Sequence, residues 1–189
     1  MLNTLLAESG NNTQLRLYDI NNEVAKLRRF NLAGQTPIKA LLTFLDDFEI
    51  TEENSEKLKY FVRVKYDSDN RVQNLLFAHP DCFKIIKENP DCVQINATYK
   101  CNKFNMPLLH LVGVTCYHTV YDIGFSFMGG ENHEHYAWHI KAMYELFEQL
   151  KVTPKYFVTD HDMALKAALS ALYPGVPQRR CIWHTTYVS

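Results

Sequence analysis

The chain has 189 residues, 47% of them hydrophobic and 22% charged, with seven Gly and seven Pro; this is globular composition and excludes disordered or collagen-like classes. A length of this order fits one domain, or one domain with a small appendage, and buries roughly 70% of the surface of the unfolded form. A formal net charge of −1 excludes a general electrostatic pull toward nucleic acid, so any such contact must come from local patches or from a further part of the protein.

The five cysteines are odd in number and include no CxxC, which points to a reduced, intracellular setting. Met1 to Leu6 lack the basic start and long apolar run of a signal peptide. No stretch approaches the ~20 apolar residues of a membrane span, so a soluble intracellular protein without membrane contact is expected.

In chain order, Leu15, Leu17, Ile20, Val24, Leu27 and Phe30 follow a three-and-four spacing that predicts an amphipathic helix within 11–30. Gly34 fits just past its end. Thr36 then serves as N-cap and Pro37 as first residue of a second helix, with Ile38, Leu41, Leu42 and Leu45 on its apolar face. Glu53-Asn54-Ser55-Glu56 reads as a loop. Apolar and charged residues alternate from Tyr60 to Tyr66, Asp67-Ser68-Asp69-Asn70 supplies turn chemistry, and Val72 to Phe77 returns as the second strand of a hairpin. Pro80 opens a short helix through Phe83, Ile85 and Ile86, ended by Asn89-Pro90. Residues 1–90 thus read as an N-terminal α+β segment and 91–189 as a separate core.

Within that core, Val93–Ala97, Leu108–Thr115 and Val120–Phe127 are strands too close in sequence for helical crossovers, hence antiparallel. Gly129-Gly130-Glu131 makes a turn, with Glu131 suited to the positive end of the helix that follows. That helix runs from Asn132 to Leu150, with Tyr136, Ile140, Met143, Tyr144, Phe147 and Leu150 on one face. Tyr156–Thr159 is a short strand, His161–Leu172 a helix, and Cys181-Ile182-Trp183 a last strand. The order β-β-β-α-β-α-β predicts an α/β protein with a ribonuclease H-like core.

Two of these strands end on polar side chains, Asn96 and Asp160. Phosphodiester chemistry with two divalent metals needs several carboxylates converging from different elements, and Mg²⁺ prefers charged oxygen ligands. Asp160 suits that role. Asn96 offers a neutral carbonyl oxygen and an amide donor, and supplies no negative charge. A second role stands open for Asp160, as the N-cap of the next helix. Glu131 and Asp162 end no matching strand and are set aside as substitute acids.

Other groupings read as structural. His133-Glu134-His135 with His139 departs from the HExxH zinc spacing, because Ala137 stands where a His would be needed; a solvated helix face is expected. Cys181-x-x-His184 offers two zinc ligands where a structural site takes four, so Cys181 is expected as a buried strand residue and His184 as a half-exposed neighbour. Lys100, Lys103, Arg179 and Arg180 are the basic residues near the site face, readable as solvated surface or as phosphate contacts.

Asn96-Ala97-Thr98-Tyr99-Lys100-Cys101-Asn102, Met106-Pro107-Leu108-Leu109, Val112-Gly113-Val114-Thr115, Val158-Thr159-Asp160 and Cys181-Ile182-Trp183-His184 stand in this order. Together they resemble the Mutator-like element (MULE) transposase domain. Thr36-Pro37-Ile38-Lys39-Ala40-Leu41-Leu42 and Phe77-Ala78-His79-Pro80 resemble the segment that precedes it. The resemblance implies a ribonuclease H-like core with a DDE acid triad, using Mg²⁺ or Mn²⁺ to nick and rejoin DNA at transposon ends in the nucleus.

Carried over, the first acid position falls on Asn96 and the second on Asp160, the one metal-binding position retained. The family's CxxH falls on Cys181 and His184. The third acid, a Glu beyond that motif, has no counterpart before Ser189, and the upstream zinc-type DNA-binding domain of many relatives is missing too. The expectation is a transposase-derived domain, truncated at its C-terminus, catalytically inactive and without productively bound Mg²⁺ or Mn²⁺. Asn96→Asp alone is not expected to restore activity. The alternative is a domesticated DNA-binding or regulatory protein without catalysis. Absence of a C-terminal helix over the sheet predicts marginal stability or self-association.

Overall fold

The computed structural model describes residues 17–32, 34–47, 49–51, 57–98, 102, 104–160 and 162–182. Leu15, the 53–56 loop, Tyr99, Lys100, Cys101, Lys103, His161, Trp183 and His184, all invoked above, lie outside them. The chain divides into two compact units, Met1–Phe44 and Leu45–Ser189.

Helix α1 spans Leu17–Asn31 and α2 spans Pro37–Asp47. Gly34 separates them at φ +78°, a conformation that glycine adopts without steric cost. The carbonyl of Thr36 accepts the first helical bond of α2, from the Ala40 N–H at 3.0 Å. Pro37 follows as first helical residue, where its missing N–H costs nothing.

The second unit opens with a two-stranded ribbon, β1 (Glu49–Thr51) against β2 (Lys57–Lys59), which the sequence pattern did not announce. β3 (Phe61–Tyr66) and β4 (Val72–Ala78) form the expected hairpin, its turn held by Asp67 Oδ1, which accepts from the N–H groups of Asp69 and Arg71. Then come α3 (Asp81–Glu88), β5 (Cys92–Thr98), β6 (Leu108–Val114), β7 (Val120–Phe127), α4 (His133–Leu150), β8 (Tyr156–Thr159), α5 (Met163–Leu172) and β9 (Gln178–Arg180).

β3 to β9 make one seven-stranded sheet in the order β3-β4-β7-β6-β5-β8-β9. Pairing is antiparallel except between β5 and β8 and between β8 and β9, which run parallel. Strands from both sides of residue 90, where the sequence reading divides the chain, belong to this sheet. The architecture is α/β.

Burial along β6 alternates: Leu109, Leu111 and Gly113 are buried, while Leu108, His110, Val112 and Val114 are half-buried. One face of the sheet therefore forms the core with α4 and α5, through Ile95, Leu111 and Phe157 from strands and Ile140, Phe147 and Leu169 from helices. Each such side chain contributes about 1.5–3 kcal/mol by leaving water.

Two sequence expectations need correction. The last strand among the described residues is Gln178–Arg180, and Cys181 and Ile182, expected in a strand with Trp183, follow it outside any strand. An edge strand has solvent along one side and accommodates a polar triplet, whereas the apolar run after it suggested a strand by hydrophobicity alone. Helix α5 begins at Met163, and its N-cap is Asp162, whose Oδ1 accepts from the Leu165 N–H at 2.8 Å. Capping therefore does not account for Asp160.

Candidate functional site

The site is built by parallel pairing. Val93 and Ile95 of β5 and Phe157 of β8 are buried apolar residues, so both strands are pinned to the core side of the sheet. Their register pairs Ile95 with Thr159. One residue further on, Asn96 and Asp160 lie on neighbouring strands, whose spacing is ~4.8 Å. Asn96 is exposed and Asp160 half-buried. β9 extends the arrangement: Thr159 pairs with Arg180, and the Cys181 N–H donates to the Thr159 carbonyl at 2.8 Å.

Asn96, Asp160 and Cys181 are thus brought to the same end of three parallel strands, the carboxyl end, where open α/β sheets bind their ligands. Cys181 is half-buried just beyond β9, not buried within a strand as expected. His184 lies outside the described residues. Glu131 is exposed in the turn before α4, and Asp162 is committed to capping.

A cleft of about 150 Å³ adjoins Asp160, lined by Thr159, Asp162, Lys166, Gln178, Arg179 and Arg180. On the other side, Asn96 pairs in register with His110 of β6, and His110 with Phe125 of β7. The imidazole of His110 stacks on Phe125 with ring centroids 4.6 Å apart, and its Nε2 lies 2.7 Å from Asp122 Oδ1. Sequence reasoning missed this pair. The available signal was a His at an alternate position of a strand otherwise rich in Leu and Val.

Asn96 does not end its strand as expected: β5 continues to Thr98, so Asn96 lies two residues inside it. The donor chemistry at this end of the sheet is one carboxylate, one neutral amide and one thiol. Hard-oxygen coordination of Mg²⁺ does not match that set. Among the described residues, no group of three or more His, Cys, Asp or Glu side chains is placed to hold a metal ion.

The α4 histidines depart from expectation. His133 is exposed, but His135 and His139 are buried. His135 Nδ1 lies 2.8 Å from Asn74 Oδ1, which also accepts from the Gly129 N–H at 3.0 Å. His139 Nδ1 bonds Ser126 Oγ, which donates to the Leu75 carbonyl at 3.1 Å. These side chains fasten α4 to β4 and β7. Burial pushes the His139 pKa down to about 3 and lowers that of His135. The helix sequence alone suggests a wet face because its polar partners, Asn74 and Ser126, stand on distant strands.

Comparison with known proteins adds a family. The model of the MULE transposase domain matches residues 92–187. Over 88% of its length the chain is 29% identical to the PKS-NRPS hybrid synthetase cheA of Chaetomium globosum, of which the match covers 4%. It is 28% identical over 87% of its length to FAR1-RELATED SEQUENCE 4 of Arabidopsis thaliana, covering 21% of that protein. To FAR-RED IMPAIRED RESPONSE 1 of the same plant it is 27% identical over 88% of its length, covering 19%. The chain therefore spans a small part of each of these relatives.

Proposed function

The chain belongs to the MULE transposase domain family, and from that premise we propose that β5–β9 is a transposase-derived, ribonuclease H-like module that does not support metal-dependent DNA cleavage. The ribonuclease H-like reading is supported by the antiparallel meander β7-β6-β5 and by β8 and β9 added in parallel beyond β5. The observation that carries the inactivity is Asn96 beside Asp160. At the first acid position the chain holds an amide, with no negative charge for a divalent ion. A carboxylate a few Å from such an ion is worth on the order of several kcal/mol even at an effective dielectric of about 20. An amide oxygen does not replace that.

Cleavage of a supercoiled plasmid and of labelled transposon-end duplex tests this in Mg²⁺ and in Mn²⁺. The expected result is no nicking above the level of an Asp160→Ala variant. Metal-dependent nicking that Asp160→Ala abolishes would overturn the reading. DNA binding without catalysis is the second reading, favoured by the cations that flank Asp160.

A further inference from the structure

We propose that the outer edge of β9, the last strand of the sheet among the described residues, with Arg179 and Arg180 straddling it and Lys166 beside it, is a metal-independent seat for the phosphodiester backbone of DNA. Four arginines have described side chains. Arg63 is held by Glu145 at 2.6 Å, and Arg71 by Asp67 at 3.0 Å and Asp69 at 2.6 Å. Arg179 and Arg180 are exposed and have no carboxylate partner among the described residues. They are also adjacent on a strand, so their side chains leave on opposite faces of the sheet. Because β9 closes the sheet order, a strand of DNA passing its edge meets one guanidinium from each face.

The neighbourhood favours an anion. Of the two carboxylates at the cleft, Asp162 spends Oδ1 on the Leu165 N–H. Lys166 adds a third cation from α5. The strand is held at that helix by Gln178, whose Nε2 donates to the Lys166 carbonyl at 3.2 Å and to Ser170 Oγ at 2.9 Å. The cations therefore sit on a fixed edge. Guanidinium groups suit phosphate oxygens because their planar donors bind two at once. A charged edge also deters strand-to-strand association, and the experiment separates the two roles.

The inference rests on the DNA-binding reading above. Full binding by a variant lacking both arginines would sink this seat and leave that reading intact, no binding at all would sink both, and metal-dependent nicking bears only on the inactivity. Fluorescence anisotropy of a labelled duplex, in EDTA and across chloride concentrations, provides the readout. Wild-type protein is expected to bind with a log–log salt slope of about −3, one unit for each cation. Arg179→Gln/Arg180→Gln should weaken binding roughly tenfold or more and reduce the slope by about 2.

Arg179→Lys/Arg180→Lys should retain most of the affinity, and Lys84→Gln on α3 should behave as wild type. Inorganic phosphate should compete no better than chloride at equal ionic strength. No binding in EDTA at low salt overturns the proposal. So does a double Gln variant that binds as well as wild type but elutes as an oligomer, which would make the arginines edge guards only. Displacement by phosphate at fixed ionic strength would assign the seat to a free anion and overturn the polymer claim.

Discussion

Gly113 of β6, which pairs with Val93 at the end of β5 away from the site, shows how a single residue sets tolerance in the sheet. A Cβ built there would fall on the ring of Tyr121, its cross-strand partner in β7. The Tyr121 hydroxyl donates to the Asn89 carbonyl at 2.7 Å, and burial pushes its pKa up to about 12, so the ring is held at both ends. Gly113→Ala is therefore expected to destabilise the fold by about 1–3 kcal/mol, the usual cost of overpacking, measured by urea unfolding; a loss under 0.5 kcal/mol would show that the ring moves aside readily. At this scale the chemistry of Asn96, an amide and not an acid, is legible from the sequence, but its place is not: it lies inside β5, which runs on to Thr98. Asp160 was half legible. Its competing role as a cap was removed only by seeing Asp162 take the Leu165 N–H.

Helix α4 is the element whose character was least visible in advance. Its apolar face was read from periodicity, but the His135–Asn74 and His139–Ser126 bonds depend on strands that the helix sequence does not contain. The energetic consequence has a definite sign. His139 stays neutral when folded, with a pKa of about 3 against an ordinary 6.5, so protons bind the unfolded chain more strongly. Its contribution to stability is complete above pH 6.5 and drains away as pH falls toward 3, at about 1.4 kcal/mol per pH unit. His135, also lowered, adds in the same direction. Unfolding free energy is thus expected to fall by roughly 2 kcal/mol between pH 7 and 5 from His139 alone. His139→Leu should flatten that limb, and an equally steep limb in the variant would place the proton elsewhere. β9 was mislocated for a related reason: hydropathy favours Cys181-Ile182-Trp183, whereas an edge position favours Gln178-Arg179-Arg180.

At the scale of the molecule, the buried residues of the core cluster, among those described, run from Phe61 to Tyr173, with Val176 packed against them. Removal of residues 1–44 should therefore leave a cooperative unfolding transition and the far-ultraviolet signature of the sheet; a non-cooperative, molten product would show that the first unit completes the core. The order of elements after residue 90 was legible because short connections force antiparallel neighbours. The joining of the β3–β4 hairpin to β7 was not, since a hairpin carries no record of which edge it extends. The parallel pairing of β5 with β8 has a consequence in time. Asn96 and Asp160 become neighbours only after β6, β7 and α4 have been laid between them, and distant pairings wait on that loop closure. The candidate site is thus a late product of synthesis: the residues of β5, β6, β7 and α4 are all made before the chain reaches Asp160.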